Sequence, residues 1–176
     1  VNFNMSFDES FGKHAVYLEG GLIYRDIKDY IQRNITGVGG GRFGAAYVNH
    51  GKVLTKGYTL TARYNFSNLL SVGGNFTEIN TRDNVATTIT GSPSNTYKAR
   101  MPNVPYLFAN SDITFYKHNL GAKGNVLTLI YDNFYVKRFP LYSEALGGSE
   151  SKLVVPTQFS HNVSISYSLK EGHYNI

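Results

Sequence analysis

The stretch YTLTARYNF, residues 58–66, alternates apolar and polar side chains without a break. The even positions carry Tyr, Leu, Ala, Tyr and Phe, and the odd positions carry Thr, Thr, Arg and Asn. In a β-strand, two such sets point to opposite faces of the sheet. The pattern therefore predicts a strand with one apolar face and one polar face, and the next question is what each face contacts.

The composition differs from that of an ordinary soluble domain. The chain has 176 residues, about the length of one domain, with 16% charged and 14% aromatic residues. Ordinary soluble domains carry roughly 25% charged residues. The chain has no Cys, which excludes disulfides and thiolate sites. No apolar run approaches the roughly 18 residues of a membrane-spanning helix, so this chain would cross a bilayer only as strands.

Alternating segments recur along the whole chain and predict eight strands and no helix. They lie at 1–8, 14–31, 53–66, 69–81, 105–116, 124–137, 158–169 and 173–176. The connections alternate in length: 9–13, 67–68, 117–123 and 170–172 are short, whereas 32–52, 82–104 and 138–157 are long. Tight turns at one end and long loops at the other are the plan of an outer-membrane β-barrel. The sequence therefore predicts an all-β fold, an antiparallel segment of a transmembrane β-barrel.

The height of the charge-free zone on the apolar face supports a membrane barrel. Counted away from the short turns, the first charges on that face are Asp26, Lys56 and Glu78 on three different strands. The zone has a similar height on each, near the roughly 9 to 11 residues that a tilted strand needs to cross the hydrocarbon layer. A bilayer imposes a common height, whereas a soluble core would taper with local packing.

The opposite face stays polar over the same span and is predicted to line a wet lumen. The lumen-facing candidates are Glu19, Arg25, Arg63, Asn65, Asn75 and Asp112. The segment NVLTLIYDNFYV at 125–136 fits less well, because Val126, Ile130 and Phe134 would also point inward. Leu60 and its even neighbours would then face lipid.

Few side chains point to a chemical site, and those that do lie in the long loops. The weak ligand-binding candidates are Arg42, Tyr97, Arg100 and Arg138, where basic groups could contact lipopolysaccharide or an acidic ligand. The five His residues show no metal-ligand spacing. The GVGGG run at 37–41 is not followed by a helix pattern, as a phosphate loop would require. We expect no catalytic residues, metal or cofactor.

The net charge of +5 raises the question of a nucleic-acid partner. The basic residues are spread over loops and the polar face, and do not form a stripe with stacking aromatic residues. We therefore expect no nucleic acid as a partner.

Three stretches resemble the C-terminal barrel part of TonB-dependent outer-membrane receptors. They are YRDIKDYIQRN at 24–34, GKVLTKGYTLTARYNFSNLLSVGGNFT at 51–77 and RMPNVPYLFAN at 100–110. The resemblance implies a barrel of about 22 strands around an N-terminal plug, which takes up a scarce nutrient with energy passed on by TonB. It also implies an outer-membrane location, contact with outer-membrane lipid and lipopolysaccharide, and contact with TonB through a plug outside this chain. A surface lipoprotein is a further candidate partner.

Both ends of the chain carry an alternating pattern, so we expect a piece of a longer protein. Residues 1–176 would then form one partial barrel domain, without the plug and without the final strand. Two alternatives stay open: a self-contained eight-stranded outer-membrane barrel, and a soluble β-barrel or sandwich that binds a ligand. The nutrient class, whether siderophore, haem, cobalamin or glycan, also stays open. An enzyme is not expected, because no Ser, His and acid constellation can be assembled.

Overall fold

The described residues form twelve β-strands, eight of which build one antiparallel sheet. The computed structural model describes residues 2–37, 43–49, 51–87, 90–141, 154–169 and 174–175. The strands are β1 (Asn2–Phe11), β2 (His14–Lys28), β3 (Ile31–Gly37), β4 (Phe43–Asn49), β5 (Lys52–Phe66), β6 (Leu70–Asp83), β7 (Leu107–His118), β8 (Val126–Val136), β9 (Phe139–Pro140), β10 (Val154–Val155), β11 (Gln158–Leu169) and β12 (Tyr174–Asn175). The large sheet has the order β1-β2-β5-β6-β7-β8-β11-β12. Chain order is thus kept across the sheet, and the prediction of an all-β antiparallel fold is confirmed.

The pairing of neighbouring strands gives the large sheet one apolar face and one polar face. Leu60 lies opposite Gly20 on β2 and opposite Phe76 on β6, whereas Thr61 lies opposite Glu19 and Asn75. Since directly opposed side chains share a face, these rows extend over neighbouring strands. We call the side with Leu60 the apolar face; it includes Leu18, Leu60, Phe76, Ile113, Leu129 and Ile165. The side with Thr61 is the polar face; it includes Glu19, Thr61, Asn75, Asn110, Asp132 and Asn162.

Tight turns gather at one end of the large sheet. They lie at 12–13, 67–69 and 119–125, and we call this end the short-turn end. Gly12 and Ser67 take positive φ angles of 65° and 49°, a left-handed conformation that a two- or three-residue reversal needs. The connections between β2 and β5, between β6 and β7, and between β8 and β11 start and finish at the opposite end, which we call the loop end.

One sequence prediction at the loop end was wrong. The range 32–52 was expected to be a loop, but β3 and β4 form a two-stranded hairpin there, with Ile31 opposite Asn49 and Gly37 opposite Phe43. Apolar and polar residues do not alternate cleanly along this hairpin, so its pairing has no periodic signature. Smaller pairings also occur within the other two long connections: β9 pairs with β10, and Arg82 forms a bridge with Arg100.

The few buried apolar side chains of the described residues do not form a core beneath the apolar face. Val53, Met101 and Val136 are buried, and each lies toward the loop end. Leu60 on the apolar face is 53% exposed, and Val163 is 72% exposed. In the described residues no second layer covers this face, as a soluble sandwich would require. These residues also contain no helix long and apolar enough to cross a membrane.

Candidate functional site

The six side chains that the sequence assigns to a lumen all lie on the polar face. They are Glu19, Arg25, Arg63, Asn65, Asn75 and Asp112. Thr61 lies opposite both Glu19 and Asn75, and the pairing of β2, β5, β6 and β7 runs without a break to the other four. The alternation of side chains along each strand was enough to predict that these six residues share one face of the sheet.

An ion pair crosses one strand of the polar face. Arg63 Nη2 lies 3.3 Å from Asp112 Oδ1, and the two side chains are 50% and 31% exposed. Arg63 belongs to β5 and Asp112 to β7, so the pair spans β6. The residue beneath it is Gly73, which lies opposite both partners. The sequence named both charged residues but could not show that a glycine between them lets them meet.

The polar row that contains this ion pair continues across two further strands. Asp132 lies opposite Asp112, and Asn162 lies opposite Asp132. The amide Nδ2 of Asn162 donates to Asp132 Oδ2 at 2.7 Å. Sequence reasoning missed Asp132 because it lies in the segment where Ile130 and Phe134 put apolar side chains on the same face. The sequence did contain a signal, because Asp132 is an even-numbered residue like Ile130 and Phe134 and must therefore lie on the same face of the strand.

Further hydrogen bonds tie the polar face together locally. The hydroxyl of Tyr17 donates to Glu19 Oε2 at 2.5 Å, and the hydroxyls of Thr59 and Thr77 are 3.3 Å apart. By contrast, Arg25, Asn65 and Asn75 form no side-chain hydrogen bond or ion pair with any residue that the structure describes. The face thus combines fixed polar groups with open ones, which suits a water-filled surface that recognises polar solutes or a polar partner.

Polar groups on the apolar face are paired with one another. Asn133 Nδ2 donates to Ser111 Oγ at 2.7 Å, and Tyr131 Oη is hydrogen-bonded to His161 Nδ1 at 2.7 Å. All four share the apolar face by register. Such pairing meets part of the hydrogen-bonding need of these groups without water, which a surface against hydrocarbon requires. The sequence analysis did not single out this cluster.

At the loop end, the connection 84–106 is folded back onto β6. Asp83 is 2% exposed and accepts a hydrogen bond from the Thr96 hydroxyl at 2.5 Å and one from the Val85 N–H at 2.8 Å. The backbone N–H of Met101 donates to the Thr81 carbonyl at 2.9 Å. Asn103 N–H in turn donates to the Pro140 carbonyl at 2.8 Å. These bonds give the connection a defined shape on which basic and aromatic side chains are displayed.

The four predicted ligand-contacting residues do not form one cluster in the described part of the chain. Arg100 lies over the ring of Tyr106, with its Cζ 4.1 Å from the ring centroid. Tyr97 carries Lys98 Nζ 4.6 Å from its ring centroid. Arg138 donates its backbone N–H to Thr157 Oγ1 at 3.3 Å. Arg42 lies outside the described residues. Sequence reasoning did not select Tyr106, which contacts two cations.

The described residues hold no group of three or more His, Asp or Glu side chains that could bind a metal ion. What the site offers is hydrogen bonding and charge recognition, on the polar face and at the loop end.

Comparison with known families agrees with this architecture. A family model described as TonB dependent receptor-like, beta-barrel matches residues 1–176. The resemblance seen in the sequence is thereby confirmed. No curated protein sequence gives a significant match. The family suggests nutrient uptake across the outer membrane and interaction with TonB, and it is a family of transporters rather than of enzymes.

Proposed function

We propose that this chain, which belongs to the TonB-dependent receptor-like β-barrel family, is part of a receptor for the active uptake of a scarce nutrient. The apolar face of the large sheet contacts outer-membrane lipid, and the polar face lines the lumen. The loop end then lies at the cell surface, and the short-turn end lies in the periplasm. TonB acts through the plug domain of the receptor.

The observation that carries this proposal is the contrast between the two faces. Leu22 and Val163 on the apolar face are 61% and 72% exposed, whereas the polar face carries the Arg63–Asp112 ion pair. A sheet that exposes large apolar side chains to water would be an aggregation hazard. The same surface is stable against hydrocarbon, because lipid takes the place of a protein core.

The extent of the barrel is a further part of the proposal. We propose that residues 1–176 are a partial barrel domain, one stretch of a barrel of about 22 strands as the family resemblance implies. Among the described residues, β1 and β12 each pair with one neighbour in the sheet. This supports a larger barrel over a self-contained eight-stranded one, since strand edges exposed to lipid are strongly unfavourable.

Growth under nutrient limitation tests the proposal. We would compare the wild-type host, a strain lacking the complete receptor and a strain lacking TonB, each with one limiting source of iron chelate, haem, cobalamin or glycan. The expected result is that growth on one of these sources fails in both deletion strains and returns at high concentration, where the receptor is bypassed. Normal growth of the receptor deletion on every source, or a defect independent of TonB, would contradict active uptake.

A further inference from the structure

Four basic side chains in and around the 84–106 connection fall into two groups according to their hydrogen-bond partners. Arg82 donates to Asn80 Oδ1 at 3.0 Å and to the Lys98 carbonyl at 2.6 Å. Lys98 donates to Asn84 Oδ1 at 2.9 Å. The Arg82 side chain therefore joins β6 to the 84–106 connection, and the Lys98 side chain bonds within that connection, so protein oxygens already accept hydrogen bonds from both cations.

Arg100 and Lys137 differ, because both lie on one aromatic ring and have no acceptor among the described residues. Arg100 Cζ is 4.1 Å and Lys137 Nζ is 5.5 Å from the centroid of Tyr106. No described residue accepts a hydrogen bond from either side chain or forms an ion pair with it. Arg100 is half-buried. A half-buried guanidinium without an acceptor among the described residues has donors that a ligand can pair, since polar groups shielded from water are normally paired.

Backbone hydrogen bonds connect the segments that meet at Tyr106. The Tyr106 carbonyl accepts the Ile79 N–H at 2.8 Å, and the Lys137 N–H donates to the Leu107 carbonyl at 2.9 Å. Arg100 is held through its bridge with Arg82. Backbone hydrogen bonds thus hold the segments that carry the ring and the two cations, and no described residue is a counter-ion to either cation.

We propose that Tyr106, Arg100 and Lys137 form an oxyanion site that binds a carboxylate or phosphate group. Stacking on an aromatic ring leaves the edge of the guanidinium free, and that edge matches two oxygens of a carboxylate or phosphate. Lys137 adds a second positive charge beside the same ring. A bound anion would accept hydrogen bonds from both cations and reduce the repulsion between them.

The proposal deepens the proposed function and rests on it, because it assumes that the loop end faces the outside of the cell. There, an oxyanion can come from a dissolved nutrient or from the phosphates of lipopolysaccharide. The recognising chemistry is the same for both, so the experiment needs one arm for the site and one for the source of the anion.

The first arm is calorimetric titration of the complete receptor, in detergent, with citrate and with inorganic phosphate. Arg100→Gln and Lys137→Gln remove one charge each from the site. Lys98→Gln is the matched control, since it removes the same charge from the same end of the sheet, where Asn84 already accepts the hydrogen bond. We expect both site variants to weaken binding of at least one probe roughly tenfold or more, and the control to change it less than twofold. All variants must keep the heat-modifiable mobility of a folded barrel.

Equal weakening by Lys98→Gln, or no binding of either probe by the wild-type receptor, would overturn the proposal. The second arm measures the phosphorylated lipopolysaccharide retained by each purified variant. Reduced retention in Arg100→Gln assigns the site to lipid, whereas unchanged retention beside lost citrate binding assigns it to a dissolved ligand. The growth experiment on the deletion strains is independent of these titrations, so failure of the oxyanion site and failure of the uptake function can be told apart.

Discussion

Gly73 keeps open the space over β6 in which the Arg63–Asp112 ion pair lies. A Cβ at position 73 would be 2.9 Å from Asp112 Oδ1 and 3.0 Å from Arg63 Nη2. Both atoms are the ends of flexible side chains and can move away. A larger side chain at position 73 would therefore displace the two charged groups but would leave the backbone of β6 in place.

We expect Gly73→Ala to separate the ion pair while lowering stability by only about 0 to 1 kcal/mol, because the pair is partly exposed. The measurement is urea unfolding of the complete receptor in lipid vesicles. In an Asp112→Asn background the same change should cost less, since the pair is already lost. Equal costs in the two backgrounds would mean that Gly73 acts in another way.

Gly57 is the matched comparison on the same face. A Cβ there would meet the Glu78 carbonyl oxygen and would lie 2.9 Å from Ile79 Cα, which are backbone atoms that cannot swing aside. Gly57→Ala should therefore destabilise the sheet more than Gly73→Ala, by roughly 1 to 3 kcal/mol.

The two faces can be tested by adjacent substitutions on β5. Leu60→Arg should destabilise the receptor in lipid vesicles by roughly 2 to 4 kcal/mol if the site lies near the bilayer midplane, because the arginine would meet hydrocarbon. Thr61→Arg should cost much less, since Arg63 already lies on that polar face. Leu60 is 53% exposed in the chain itself, so a soluble protein would tolerate Leu60→Arg with little loss. Equal penalties at the two positions would remove the basis for assigning one face to lipid.

At the scale of elements, the turn between β7 and β8 is held by a side chain from β11. Tyr167 Oη accepts a hydrogen bond from Asn125 Nδ2 at 2.7 Å and donates to the Leu120 carbonyl at 2.6 Å. Asn125 is itself 7% exposed. A strand that pairs with β8 but not with β7 thus fixes the conformation of the turn between those two strands.

Tyr167→Phe should lower stability by roughly 1 to 2 kcal/mol through the loss of these hydrogen bonds. Faster amide hydrogen exchange within residues 119–125 should accompany the loss. Tyr116→Phe is the control, because the Tyr116 hydroxyl forms no hydrogen bond with the described residues. The same increase in exchange for both variants would show that the hydroxyl of Tyr167 is not what orders the turn.

Strands with an unbroken alternation were predictable from sequence, and elements that depend on distant polar contacts were not. β11 was predicted at 158–169 and found there, and β5 was predicted one residue short of its start at Lys52. The β3–β4 hairpin was missed because its alternation is irregular. The conformation of the 84–106 connection depends on hydrogen bonds from Thr96 and Val85 to Asp83. These contacts follow no repeat in the sequence and could not be predicted from it. Likewise, the alternation along each strand predicted that Arg63 and Asp112 share a face. That they meet over Gly73 became known only from the pairing of β5, β6 and β7.

At the scale of the whole molecule, the two ends of the sheet should lie on opposite sides of the outer membrane. Ser94→Cys at the loop end should react with a membrane-impermeant maleimide on intact cells. Asn68→Cys and Ala122→Cys at the short-turn end should react only after the outer membrane is permeabilised. Labelling of all three on intact cells would contradict the proposed topology.

The edges of the sheet predict how these residues behave without the rest of the barrel. Expressed alone in detergent, they should give aggregates rather than a monodisperse closed barrel, because β1 and β12 offer unpaired backbone groups that are costly in lipid. Size-exclusion chromatography and limited proteolysis provide the measurement. A heat-modifiable, protease-resistant monomer would instead favour the self-contained eight-stranded barrel.

The buried side chains Val53, Met101 and Val136 all lie toward the loop end, and the 84–106 connection is hydrogen-bonded to the backbone of β6 there. A bilayer thinner or thicker than the apolar band of a barrel is accommodated by a tilt of the whole barrel or by the lipid, because the hydrogen-bond stagger fixes the tilt of each strand. The packing toward the loop end lies largely outside that band, so it would tilt with β6 as one unit and keep its internal contacts. In the proposed receptor, the shape of the loop end should therefore not depend on lipid composition, whereas its orientation relative to the membrane normal should.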